Sequence, residues 1–273
     1  MSLSTVLFFF LAHLGVGIAW SLVFVSKETG VKFFRFNAGL AAILVAFALA
    51  FRIASLDGAP AESSLARLAV AALYVAEAAL VLYWATVGRV LVRVRPAIIA
   101  VAIVGGLAAV VLQGLDVSAG GVLAMQLLTV ASFVTSVALL GGACTSMTLG
   151  HWYLVIPSME VTHLQSIVKV HIASTALRVA SVGAVVWFAM ATWQAESGDP
   201  SFHHYIFSVD GIFFWQRVLF GLAGPAVLSY LTWETAKIRA TQSATGILYV
   251  DFFTVVVGEV LAKYIVLATH VPV

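Results

Sequence analysis

The sequence predicts an all-α integral membrane protein, a bundle of about eight transmembrane helices with both termini on the non-cytoplasmic side. Three observations carry this expectation. Hydrophobic residues make up 62% of the 273 positions and charged residues only 10%, against about 25% charged in soluble domains, and the mean hydropathy is +1.08. The apolar residues fall into runs separated by short polar breaks, each close to the roughly 20 residues that cross a hydrocarbon core of about 30 Å. Lysine and arginine collect in alternate breaks, as the excess of basic residues in cytoplasmic loops requires. The whole chain, 1–273, reads as a single transmembrane domain with no soluble part.

Taken in order, the first span covers residues 5–26. No basic residue precedes it and no small-residue cleavage site follows, so it reads as a retained span and not a signal peptide. After the polar segment 27–37 the second span covers 38–54, and the linker 55–64 (SLDGAPAESS) clusters Gly, Pro and Ser as loops do. Span three covers 65–87, a basic turn follows at 89–96, and span four covers 97–115 before a tight turn at 116–120. Span five starts near Gly121, and its apolar character runs on to Ile156. That is too long for one straight crossing, so a break is expected at Gly141-Gly142, with 145–157 at the membrane surface or finishing a tilted helix. Span six covers 164–193, the longest polar connection covers 194–210, and spans seven and eight cover 213–232 and 245–268. No internal repeat is visible.

Orientation follows from Lys27, Lys32 and Arg35 after span one, Arg89, Arg93 and Arg95 after span three, and Lys237 and Arg239 after span seven. The opposite breaks hold Asp57, Glu62, Asp116, Glu196, Asp199 and Asp210, relieved by Arg52, Arg67 and Arg217 near helix ends. The basic breaks belong inside. The net charge of +2 is therefore a topology signal and no sign of nucleic-acid binding. The single cysteine, Cys144, excludes an internal disulfide and any thiolate-held zinc or iron–sulfur cluster within the chain. Phosphate-binding glycine loops, the His-Glu-x-x-His pattern and a nucleophile elbow are all missing.

Chemistry must then come from polar groups at membrane depth, where an ionisable side chain is costly and usually faces a partner, a cavity or a pathway. The candidates are His13, Glu77, Lys169, His171, Arg178, Asp251, Glu259 and Lys263. On span six, His171, Ser174, Arg178 and Ser181 follow one another at steps of three, four and three, which makes one polar stripe. On span eight, Glu259 and Lys263 are four apart in the order that favours an intrahelical pair. Asp251 lies about two turns earlier, so Glu77, Asp251 and Glu259 are candidates for a proton path.

Histidines separate the sharper hypotheses. Two histidines from different helices at matching depth can ligate a b-type haem, and His151 with His171 is the pair at matching depth. The aromatic neighbours of His151, Trp152 and Tyr153, also read as interfacial anchors. A quinone site needs an apolar cleft and a histidine, carboxylate or tyrosine to bond a carbonyl oxygen and exchange a proton. His13, with Gly15 and Gly17 nearby, suits such a site on the outer side, and His163, Lys169 and His171 suit one on the inner side. The glycines equally suit close helix packing.

Three segments carry a family resemblance. Gly258-Glu259-Val260-Leu261-Ala262-Lys263 with His270 behind it, Phe214-Trp215-Gln216-Arg217-Val218-Leu219, and the aromatic, glycine-rich run 8–17 around His13 resemble the NrfD-like membrane anchors of DMSO and polysulfide reductases. In span three the chain has only Glu77 where that family carries a fuller polar signature. The resemblance implies an eight-helix anchor with both termini outside that exchanges electrons between quinol and an iron–sulfur partner.

The resulting expectation is a multi-pass subunit of a respiratory or electron-transfer complex in the cell inner (cytoplasmic) membrane. It interacts with a quinone, menaquinone or ubiquinone, with haem b as a further candidate cofactor. Expected partners are the lipid bilayer, other subunits of a membrane redox complex, and an iron–sulfur or cytochrome c protein on the outer side. The alternatives from other classes are a transporter or channel lined by Arg178, Glu77 and Asp251, and a purely structural anchor.

Overall fold

The computed structural model describes residues 2–54, 63–89, 92–156, 159–192 and 202–273. The linker at 55–62, positions 90–91 and 157–158, and the 193–201 part of the long polar connection lie outside the described residues. Eight helices among the described residues are long and apolar enough to cross a membrane. They are α1 (Leu3–Ser21), α2 (Val31–Ala54), α3 (Ser64–Thr86), α4 (Arg95–Val117), α5 (Leu123–Val155), α6 (Val161–Thr192), a broken span built from α8 (Ile212–Val218) and α9 (Gly224–Lys237), and α10 (Thr241–Thr269). A short helix, α7 (Phe202–Phe207), precedes α8. The chain is an all-α multi-pass membrane bundle.

Local sequence explains the ends. Ser2 caps α1 by accepting from the Ser4 N–H at 3.2 Å, and Ser63 caps α3 through the Ala66 N–H at 2.9 Å, each serving a donor that the first turn leaves over. Pro96 sits in the first turn of α4, where its missing N–H costs nothing. At the far end of α10, His270 takes the left-handed conformation (φ 58°) and turns residues 271–273 back into the bundle, where Val271 and Val273 are buried.

The first span is the central column, because its apolar residues run all the way round and its most apolar stretch is 78% buried. It packs against α2, α4, α5 and α10, while α3 lies outside, held by α2 and α4. Lipid-facing surfaces carry exposed Ile43, Phe47, Leu68, Val104 and Trp187. At the end rich in lysine and arginine, Arg35 lies over Trp84 (5.4 Å) and Lys169 and Lys237 flank Trp233 (5.0 and 5.5 Å), the arrangement of cations and aromatics found where helices leave the hydrocarbon. This is the basic end; the opposite end, with Ser2, Asp116 and His270, is the terminal end.

One expectation about helix continuity is corrected. The fifth span is one unbroken helix of 33 residues, about 50 Å at 1.5 Å per residue, with no break at Gly141-Gly142. Those glycines serve packing: a Cβ on Gly141 would stand 2.0 Å from the Gly17 carbonyl oxygen, and one on Gly142 3.2 Å from His171 Cα. Backbones that approach this closely across a membrane interface need glycine. The break lies in span seven, where a π-helical turn at Leu219–Ala223 precedes Gly224-Pro225. Proline cannot donate to the preceding turn, and a single π turn is one of the few ways a helix absorbs that loss.

Candidate functional site

Glu259 on α10 gathers the buried cations. Arg178 on α6 donates from Nε to Oε1 at 2.9 Å and from Nη2 to Oε2 at 3.3 Å, and its Nη1 donates to the Ser132 carbonyl and hydroxyl at 2.9 and 2.6 Å. Arg217 on α8 donates from Nη2 to the same Oε1 at 2.9 Å. Lys263 Nζ lies 3.6 Å from Oε2 and donates to Ser136 at 2.7 Å, with the Phe133 ring 5.0 Å away. Every one of these side chains is buried. Helical spacing on α5 puts Ser132 and Ser136, four apart, on the face that meets α6 and α10.

Arg217 reaches the carboxylate because two side chains are missing. A Cβ on Gly221, inside the π turn, would lie 1.9 Å from its Nη1, and one on Gly258 would lie 2.1 Å from Gly221 Cα. Such contacts are open only to glycine. The sequence alone placed Arg217 among charges near helix ends; it is instead fully buried.

From this centre a hydrogen-bonded chain runs towards the terminal end. Ser136 donates to Glu259 Oε2 at 2.5 Å, and its oxygen is 3.4 Å from His13 Nδ1 on α1. His13 Nε2 is 3.2 Å from Gln113 Oε1 on α4. A hydroxyl has one proton to give, and the shorter contact assigns it to Glu259; rotating that single hydroxyl would hand it to His13. Gln113 in turn lines a small cleft of about 30 Å3 with Phe8, Phe9, Arg52, Ala66, Ala69, Val70 and Asp116, and its Nε2 has no protein partner.

Nearer the basic end, His171 Nε2 and Asp251 Oδ2 pair at 2.5 Å with both side chains fully buried. His171 Nδ1 and Asp251 Oδ1 have no hydrogen-bond partner. Asp251 is eight residues before Glu259, about 12 Å along α10.

The structure brings together some of the sequence-predicted residues and separates others. Glu259 and Lys263 do approach along α10, but the stronger bonds to Glu259 come from Arg178 and Arg217. In the proposed proton path, Asp251 joins His171 and Glu259 joins Arg178, while Glu77 sits half-buried on α3 with its Oε2 unbonded and no bond to either. The inner-side quinone group does not converge: His163 Nε2 is 3.0 Å from exposed Glu28, Lys169 is exposed against Trp233, and His171 is inside with Asp251. His13 is buried behind Gln113 and does not line the cleft, and its neighbours Gly15 and Gly17 are filled by Val45 and by the α5 backbone.

The haem pair does not fit. His151 is exposed and bonded to Tyr249 at 2.7 Å, nine residues beyond the glycine that touches His171, about 13 Å along α5. His171 Nε2 is taken by Asp251, and the α5–α6 contact at Gly142 leaves no room for a macrocycle beside its ring.

Known proteins give no guide to the site. No protein-family model matches the chain, and no curated protein matches it. Gln113, Ser132, Ser136 and Arg217 were not singled out from the sequence as site residues. The i, i+4 repeat of Ser132 and Ser136 in an apolar helix was the one signal available for the serines, and nothing local distinguished Gln113.

Proposed function

We propose that this chain is a quinone-interacting membrane subunit of a respiratory or electron-transfer complex, with the cleft beside Phe8, Phe9 and Gln113 as the quinone site. The observation that carries the reading is the buried hydrogen-bonded chain linking the cleft wall to Glu259 through Gln113, His13 and Ser136. The cleft encloses about 30 Å3, room for a water or two against the roughly 300–1,000 Å3 of ligand pockets, so a quinone ring enters by parting Phe8, Phe9 and the α3 side chains, with an isoprenoid tail lying along the lipid-facing helices. Phe8 and Phe9 supply aromatic walls for the ring. Gln113 Nε2, bare of protein partners, supplies a donor to a carbonyl oxygen.

A quinone supplies two-electron, two-proton chemistry; the residues of this chain manage the proton. Turning Gln113 towards the cleft opens His13 Nε2 to the bound oxygen, which makes Gln113 a positioning residue and His13 the proton-exchanging group. The Ser136 hydroxyl then connects His13 to Glu259. Haem b has no place in this reading. Electrons pass to or from a partner subunit, an iron–sulfur or cytochrome c protein, docked on the terminal end. The positive-inside bias of Lys27, Lys32, Arg35, Arg93, Arg95, Lys237 and Arg239 supports placing that end outside, in the cell inner membrane. The resemblance of residues 258–263 and 214–219 to NrfD-like anchors points the same way.

The test is photo-crosslinking of an azido-ubiquinone to the purified protein in nanodiscs, with sites mapped by mass spectrometry and competed with decylubiquinone and menadione. Labelling at residues 8–9 and 66–70 that falls at least tenfold in Gln113→Leu is expected. Unsaturable labelling, or labelling unaffected by Gln113→Leu, refutes the cleft assignment.

A further inference from the structure

The Glu259 centre holds more positive charge than its protein partners balance. Arg178, Arg217 and Lys263 face the single carboxylate of Glu259, and all four are buried. A carboxylate at Val273, whose oxygen accepts from Arg178 Nη2 at 3.4 Å, would still leave one positive charge over. Unpaired charge removed from water is among the most costly features a protein can hold, and at membrane depth no solvent is at hand to relieve it.

The hydrogen-bond inventory points to the same deficit independently. Arg217 uses one of its three nitrogens; Nε and Nη1 are buried with no partner. One turn beyond Arg178 on the same stripe of α6, the Ser181 hydroxyl is also buried and unpartnered. These are donors without acceptors, near three cations that share one carboxylate. The π turn that carries Gly221 is the local irregularity that admits the Arg217 guanidinium, and such turns recur at binding sites.

We propose that the Arg178–Arg217 centre binds a small monovalent inorganic anion of halide size, held by Arg217 and Ser181 opposite Glu259. Arg217 is five residues from the start of α8 at Ile212, about 8 Å along the helix, so the anion enters from the terminal end. This site is separate from the quinone cleft and needs no quinone for its test.

Chloride is the probe. The full chain, purified in detergent, is titrated with sodium chloride against sodium gluconate at constant ionic strength, read by 35Cl line broadening and by thermal unfolding. Saturable broadening and a rise in midpoint with chloride are expected. Losing charge-assisted bonds in Arg217→Gln lowers chloride affinity roughly ten- to hundredfold, and Ser181→Ala, which leaves the ion pairs intact, lowers it by a smaller factor and serves if Arg217→Gln does not fold. Identical behaviour of the wild type in chloride and gluconate overturns the proposal. Unchanged chloride affinity in a folded Arg217→Gln or in Ser181→Ala overturns the location.

Discussion

Replacing Glu259 by glutamine tests the buried ionic centre most directly. The side chain keeps its shape, but the one carboxylate serving Arg178, Arg217, Lys263 and Ser136 becomes neutral, and whichever way the amide turns, its NH2 group faces donors. Removing one partner of a buried pair costs about 3–5 kcal/mol, because the stranded charge stays buried. The costs of stranding three cations do not add, since all three act through one group. At about 2–4 °C per kcal/mol for a chain of this size, the unfolding midpoint falls by roughly 6–20 °C. Cys144, the sole cysteine and 2% exposed, is a built-in reporter: a maleimide dye reacts with it only on unfolding. The double variant Glu259→Gln/Arg217→Gln strands one cation fewer and should recover part of the loss. A Glu259→Gln midpoint within about 2 °C of wild type refutes the view that this carboxylate holds the centre together.

Three further outcomes follow from the geometry. Gly141→Leu, which drives a side chain into the Gly17 carbonyl 2.0 Å from its Cβ, should separate α1 from α5 and lower the midpoint in the same dye assay by more than any lipid-facing change such as Phe47→Leu. Gly221→Ala places a methyl 1.9 Å from Arg217 Nη1 and should abolish chloride broadening while leaving quinone crosslinking at residues 8–9 in place. Tyr249→Phe removes an exposed bond to His151 and should change stability by no more than about 0.5 kcal/mol, whereas Asp251→Asn, beside buried His171, should cost about 3–5 kcal/mol; equal effects from the two would contradict the burial on which this ranking rests.

Particular residues mark how far the sequence could be read. The stripe of His171 and Arg178 and the Glu259–Lys263 spacing were legible because helical periodicity fixes which residues share a face. The partner of Arg178 was not, since Glu259 lies 81 positions away on another helix. Arg217 was misjudged because closeness to a helix end in the sequence resembles closeness to water, and only the π turn and the paired glycines show that its side chain is buried. His151 and His171 looked suited to one cofactor by depth alone; burial separates them into a surface residue and a core ion pair.

Composition and run length by themselves determined that the chain crosses a membrane eight times as helices, since in hydrocarbon every backbone polar group must be satisfied within its own segment. That constraint is local and can be read one span at a time. Which helix became the central column, which cations share Glu259, and how His13 connects through Gln113 to a cleft were decided by packing between helices. These contacts join residues on different spans, and an apolar helix offers much the same lipid-soluble face to many neighbours until glycine contacts and buried charges select one arrangement.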